Sequence, residues 1–222
     1  MPDKPRVKAP KQRSAPAPGG SARGRSPLFA AAAALAALGA VGAVLAFVSL
    51  GGGGRPSEDE VRANLEAAGC TLEAKPALPG EHSVTDPSGS SPKWNTDPPT
   101  SGPHYAQAAI FGIYEEPLEL ARVVHNLEHG GVFILWGEDV PPATVDELRA
   151  FYAQHKTGTI MAPLPRLGDE FALGAWVSDG DTHKGYLAKC KAFDEVAVSS
   201  FFRAFQFRGP ERFDPSALQP GS

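Results

Sequence analysis

Twenty-three consecutive residues without a charge, Leu28 to Leu50, divide this chain before any other feature is weighed. At a rise of about 1.5 Å per residue, a helix of that length just crosses a hydrocarbon core of about 30 Å. The residues before it offer no core that would cover such a run in water. The expectation is therefore an uncleaved transmembrane helix over residues 28–50. The competing reading is a cleaved signal peptide, whose apolar region is usually about 7–15 residues, shorter than this run.

Charge sets the direction of the span. Of the chain's 21 Lys and Arg, seven fall in residues 1–27 (Lys4, Arg6, Lys8, Lys11, Arg13, Arg23 and Arg25), against Asp3 as the one acid among its 25 Asp and Glu. Positive flanks stay cytoplasmic, so residues 1–27 are expected as a disordered basic cytoplasmic tail, with everything after Gly51 on the outer side. From residue 28 onward 14 basic residues face 24 acidic ones, ten charges negative, a polarity hidden in the overall net charge of −4. An acidic outer part argues against nucleic acid or anionic lipid as its ligand and leaves cations open. Membrane contact is expected only through residues 28–50, and no feature names a protein partner.

The outer part is one domain's worth of sequence. Residues 51–56 are a Gly-rich stalk, 57–213 the domain and 214–222 a tail. Ser57 with Glu60 forms a capping box for a helix ended by Gly69, and Cys70–Leu78 alternates weakly as a strand. Val132–Trp136 is a continuous apolar run suited to a buried strand. Pro141 and Pro142 open a helix with Val145, Leu148, Phe151 and Tyr152 on its core face. Thr159–Ala162, Phe171–Val177 and a short stretch near Gly185–Ala188 follow as strands, and Asp194–Phe207 closes the domain as a helix. The fold class expected is α+β, a mixed sheet covered by helices, with a thioredoxin-like succession of elements from His82 onward as the alternative.

Chemistry concentrates at Val124-His125-Asn126-Leu127-Glu128-His129-Gly130-Gly131. Pro117 at a first helical position, with Leu120, Val123, Val124 and Leu127 at helical spacing, predicts a helix stopped by Gly130. Residues three and four apart share a helical face, so His125 projects beside both Glu128 and His129. A second histidine segment, Trp94 to Tyr105, carries Pro98, Pro99 and Pro103, which exclude helix and central strand. A stiff loop of this kind aims His104.

The phrases Pro98-Pro99-Thr100-Ser101-Gly102-Pro103-His104-Tyr105, Val124 to Gly131 and Gly209-Pro210-Glu211 resemble the bacterial family known as domain of unknown function 3105 (DUF3105). The resemblance covers roughly residues 58–213. It implies a basic tail, a single span and an outward domain, hence a single-pass cell-membrane protein, but no activity. His82 sits where that family shows a His-Val step, with Ser83 inserted here.

The leading expectation is a metal site of His104, His125 and His129, with His82 or Glu128 as a fourth ligand or a supporting partner. Imidazole donors suit zinc or copper. The plain alternative makes His129 a helix C-terminal cation and His104 and His125 hydrogen-bonded packing residues of an envelope scaffold. The string His125-Asn126-Leu127-Glu128-His129 also matches the H-x-x-E-H pattern of zinc peptidases, in which Glu128 would be the catalytic base. A downstream acidic ligand for that chemistry has no obvious counterpart, so binding ranks before catalysis. Met161 is expected as core filling, while His155, His183, Asp179 and Asp181 belong to solvated turns and helix ends. Cys70 and Cys190, the only cysteines, read as a disulfide in an oxidising exterior, with paired thiolate ligands as the rival.

Overall fold

Val132–Trp136 (β3) lies at the centre of the architecture, with all five side chains buried. Successive residues of a strand face opposite sides, and here both sides are covered. Val132, Ile134 and Trp136 enter one core and Phe133 and Leu135 the other. The computed structural model describes residues 54–83 and 93–222. The tail expected over 1–27, the membrane helix expected over 28–50, the first stalk residues and the segment 84–92 lie outside them. Among the described residues no helix is long and apolar enough to cross a membrane.

The domain is α+β, with a mixed six-stranded sheet and four helices. Its elements are α1 (Glu58–Ala67), β1 (Thr71–Pro76), β2 (Gly112–Ile113), α2 (Leu120–Glu128), β3, α3 (Pro142–Gln154), β4 (Thr159–Pro163), β5 (Phe171–Asp179), β6 (Thr182–Cys190) and α4 (Glu195–Phe205). Strand order is β1-β6-β5-β3-β4-β2. β3 pairs parallel with β4 and antiparallel with β5, and β5 and β6 form a hairpin turning at Gly180-Asp181. Apolar faces of α1, α3 and α4 (Val61, Leu65, Leu148, Phe151, Phe201, Phe205) cover one face of the sheet. The other face receives α2, through Val123, Val124 and Leu127.

Local signals place most of these elements. Ser57 caps α1 by accepting from the Glu60 N–H, and the Ser57 N–H donates back to the Glu60 carboxylate at 2.7 Å. Asp194 caps α4 in the same manner, accepting from the Ala197 N–H. Met161 is fully buried in the core under α1, α3 and α4, as core filling requires.

Three elements differ from the sequence expectation. α2 begins at Leu120, not at Pro117, because Leu118 packs into the core from an extended segment and Glu119 takes the cap position. β6 runs the full nine residues from Thr182, held between β5 and β1; its polar first half, including exposed His183, carries no apolar signal. The short edge strand β2, paired in parallel with β4, has no periodicity to betray it. The segment after Phe213 is docked, with Leu218 buried and its carbonyl accepting from the Gly158 N–H.

Cys70 and Cys190 are disulfide-bonded across 120 residues of sequence. The bond joins the α1–β1 junction to the last residue of β6, beside the pair Thr71 and Lys189. Such a long loop restricts the unfolded chain strongly, for about 2–5 kcal/mol of stability. Replacing both cysteines by alanine is expected to lower unfolding free energy by about that amount in denaturant titration. Thiol titration of unreduced, denatured wild type is expected to find no free thiol.

Candidate metal centre

The proline-rich loop is ordered by its own small polar side chains. The Thr96 hydroxyl accepts from the Thr100 N–H at 3.0 Å, the Trp94 indole donates to the Pro103 carbonyl at 3.0 Å, and Ser101 accepts from the Leu78 N–H. Thr100, Ser101 and His104 are fully buried. The backbone at each side of the imidazole is tied down as well, His104 N–H to the Glu81 carbonyl and Tyr105 N–H to the Ala121 carbonyl. A loop satisfied in this way holds its histidine as a strand would.

On α2 the helical spacing brings His125, Glu128 and His129 to one side, and Asn126 faces the neighbouring loop. There the Asn126 amide accepts from the Ala109 N–H and donates to the Ala109 carbonyl, 2.9 and 2.8 Å, clamping that loop to the helix. Glu128 Oε2 is the meeting point: His104 Nε2–H donates to it at 3.0 Å and His82 Nε2–H at 3.3 Å. The ligand atoms of His82, His104, His125 and Glu128 all lie within 4.8 Å of one another. His129 stands one step outside this group, its Nε2 at 3.0 Å from His125 Nε2 and 3.3 Å from Glu211 Oε2.

Backbone carbonyls only accept, so they assign the ring protons. Nδ1–H of His104 donates to Gly102 at 2.7 Å and Nδ1–H of His125 to Tyr105 at 2.7 Å. Both Nε2 atoms therefore point to the cluster with their other ring nitrogen fixed, the tautomer and orientation that metal-binding histidines adopt. Ligands about 2.0–2.1 Å from a tetrahedral ion stand about 3.3–3.4 Å apart. The set spans up to 4.8 Å, so at its widest the side chains must draw together by about 1.4 Å to close on one ion.

Electrostatics separate the histidines. Burial alone pushes His104 down, but the hydrogen bond to Glu128, the Gly102 carbonyl and the carboxylate's charge outweigh it, and the pKa is raised above 6.5. For Glu128, burial pushes up while the hydrogen bond and charge of His104, followed by those of His82, prevail, so it lies below 4.5. Burial, reinforced by the neighbouring imidazoles, lowers His125; burial and His125 lower His129. The cationic form of His104 is thus favoured beside an ionised Glu128, while the cationic forms of His125 and His129 are disfavoured.

Residues 87–217 match the family described as "Protein of unknown function (DUF3105)". The chain belongs to the DUF3105 family. No curated protein and no solved structure matches it. His82 precedes the matched stretch of this DUF3105 domain, so the cluster draws on both sides of residue 87.

Two contributors escaped the sequence reading. Gly80 passes so close to Glu128 that a Cβ there would meet Glu128 Oε1 at 2.2 Å and Trp176 at 3.0 Å. Glu211 reaches His129 because Gly209 lies against the end of α2, where a Cβ would sit 2.1 Å from the Glu128 carbonyl, and the Glu211 N–H donates to that same carbonyl. A glycine chosen for closeness to a distant residue leaves no local pattern; the signal available was Gly209-Pro210-Glu211 itself. His155 stacks on Phe151 with its Nδ1–H donating to the Phe151 carbonyl, and Asp179 pairs with Arg208, both away from the cluster.

Gly80→Ala is expected to cost about 1–3 kcal/mol in denaturant unfolding, through displacement of the Glu128 carboxylate. The pair also predicts a pH profile for metal-free protein. A raised His104 stabilises fully below its ordinary value of 6.5 and loses that contribution as pH rises through its folded value. A lowered Glu128 stabilises above its ordinary 4.5 and loses that contribution as pH falls through its folded value. The excess stability of wild type over Glu128→Gln is therefore expected to peak between those two pH values and shrink on either side, as read from urea midpoints.

Proposed function

We propose that this DUF3105 domain binds and handles a divalent transition-metal ion, zinc or copper, on the outer side of a cell membrane. The observation that carries the proposal is the convergence of His82, His104, His125 and Glu128 within 4.8 Å, with two of the imidazoles oriented by backbone carbonyls. Three nitrogens and one oxygen suit zinc or copper(II). The cysteines are bonded to each other, which removes the thiolates that a copper(I) site would favour.

Support for the location comes from the charge-free run 28–50, the seven basic residues before it and the disulfide, which persists in oxidising compartments. The acidic balance of the outer part suits a cation-handling role. We further read β3-α3-β4-β5-β6-α4 as a thioredoxin-like arrangement that begins at β3 and not at His82, which lies in no strand; the order β4-β3-β5-β6 with β3 and β4 parallel supports it. Redox chemistry does not follow from it, because there is no C-x-x-C and fold alone does not carry function.

One observation favours a second reading, an envelope scaffold with structural histidines: the buried His104–Glu128 hydrogen bond satisfies both groups without an ion. Hydrolysis is less favoured, because Glu128 Oε2 already accepts from two histidines and so acts as counter-ion or ligand before it acts as base.

Untagged full-length chain in chelator-free buffer is expected to take up about one zinc or copper(II) per chain. Metal uptake is expected to weaken at least about tenfold in His82→Ala and further in His125→Ala, by calorimetric titration. A folded wild type that takes up neither ion would leave the scaffold reading standing alone.

A further inference from the structure

The donor groups at the end of α2 continue beyond the four-residue cluster. His125 spends its Nδ1–H on the Tyr105 carbonyl, so it has one lone pair to offer, on Nε2. That nitrogen lies 3.0 Å from His129 Nε2, which in turn lies 3.3 Å from Glu211 Oε2. Both separations approach the roughly 3.3–3.4 Å between neighbouring ligands of a tetrahedral ion. Glu211 is held there by backbone: the Phe207 N–H donates to the Gly130 carbonyl at 2.7 Å, the Glu211 N–H donates to the Glu128 carbonyl at 3.0 Å, and Gly209 fits where no Cβ could.

We propose that His125, His129 and Glu211 form a second, outer position for the same divalent ion, alternating with the inner position at His82, His104, His125 and Glu128. The proposal rests on the metal-binding reading above. One lone pair on His125 cannot serve two ions, so the positions exclude each other and the stoichiometry stays at one. Three protein donors leave one coordination place open, as in zinc sites that exchange ligands. His129 also lines a cavity of about 380 Å³, together with Ala109, Phe111, Phe213 and Leu218, which gives an incoming ligand room. His104 is fully buried and His129 partly covered, while His82 of the inner position and Glu211 of the outer one are both about half exposed, so each position has a face to solvent. The outer position, with three protein donors, is where the ion is exchanged; the inner one, with four, is where it is kept.

The test is transfer of zinc from the loaded full-length chain to an excess of chromophoric chelator. His129→Ala and Glu211→Gln are expected to keep one zinc per chain while releasing it about tenfold more slowly. Cobalt(II) in wild type is expected to give hyperfine-shifted proton resonances from the His129 ring, which disappear in His129→Ala. Release rates unchanged in both variants would overturn the outer position. So would loss of all zinc from a folded His129→Ala, since His129 would then be an obligatory ligand of a single site. Glu211→Gln, isosteric and half exposed, decides the matter should His129→Ala fail to fold. A folded wild type that binds no zinc at all would instead overturn the metal-binding reading, and this inference with it.

Discussion

A carboxylate buried at the end of a helix is the constraint on which this side of the molecule depends. Glu128 is almost wholly shielded from water, and an unpaired buried charge costs several kcal/mol. Everything around it answers that cost: the His104 and His82 ring N–H groups, the bare backbone of Gly80, and a loop stiff enough to keep His104 in place. The same geometry that satisfies the carboxylate gathers three imidazole nitrogens around one point. Neutralisation by protons and neutralisation by a divalent cation are two solutions of one electrostatic problem, and the second uses every donor present.

The scaffold supplies the rigidity. β3 is buried on both faces and flanked by a parallel and an antiparallel neighbour, so the α2–β3 connection starts from a fixed strand. Val123, Val124 and Leu127 press α2 onto that sheet, Asn126 clamps the loop before β2, and the carbonyl ends of α2 receive the segment after α4. The disulfide secures the far edge, where β1 meets β6, away from the histidine cluster. Stability and site chemistry thus occupy different parts of the sheet.

Much of this was legible in local pattern. The capping box at Ser57, the five-residue apolar run of β3, the proline pair before α3 and the spacing of His125, Glu128 and His129 each have a short-range cause. The ordered character of the Pro98 to His104 loop also followed from its composition. Where the pattern failed, tertiary packing had won: Leu118 drew Pro117 out of the helix, and pairing on both sides extended β6 through Thr182, His183 and Lys184. Glu211 and Gly80 could not be found by spacing, since their contacts, with His129 and Glu128, lie 82 and 48 positions away along the chain.

By itself, then, the sequence determined most of the elements, the pairing of its only two cysteines and the helical triad at His125, because each rests on periodicity, capping or the count of available partners. Which histidines share a point in space was decided by the fold. His82 joined His104, His125 and Glu128, and His129 turned toward Glu211, because loop closure over the α2 face and the return of the chain after Phe207 set distances that no local preference encodes.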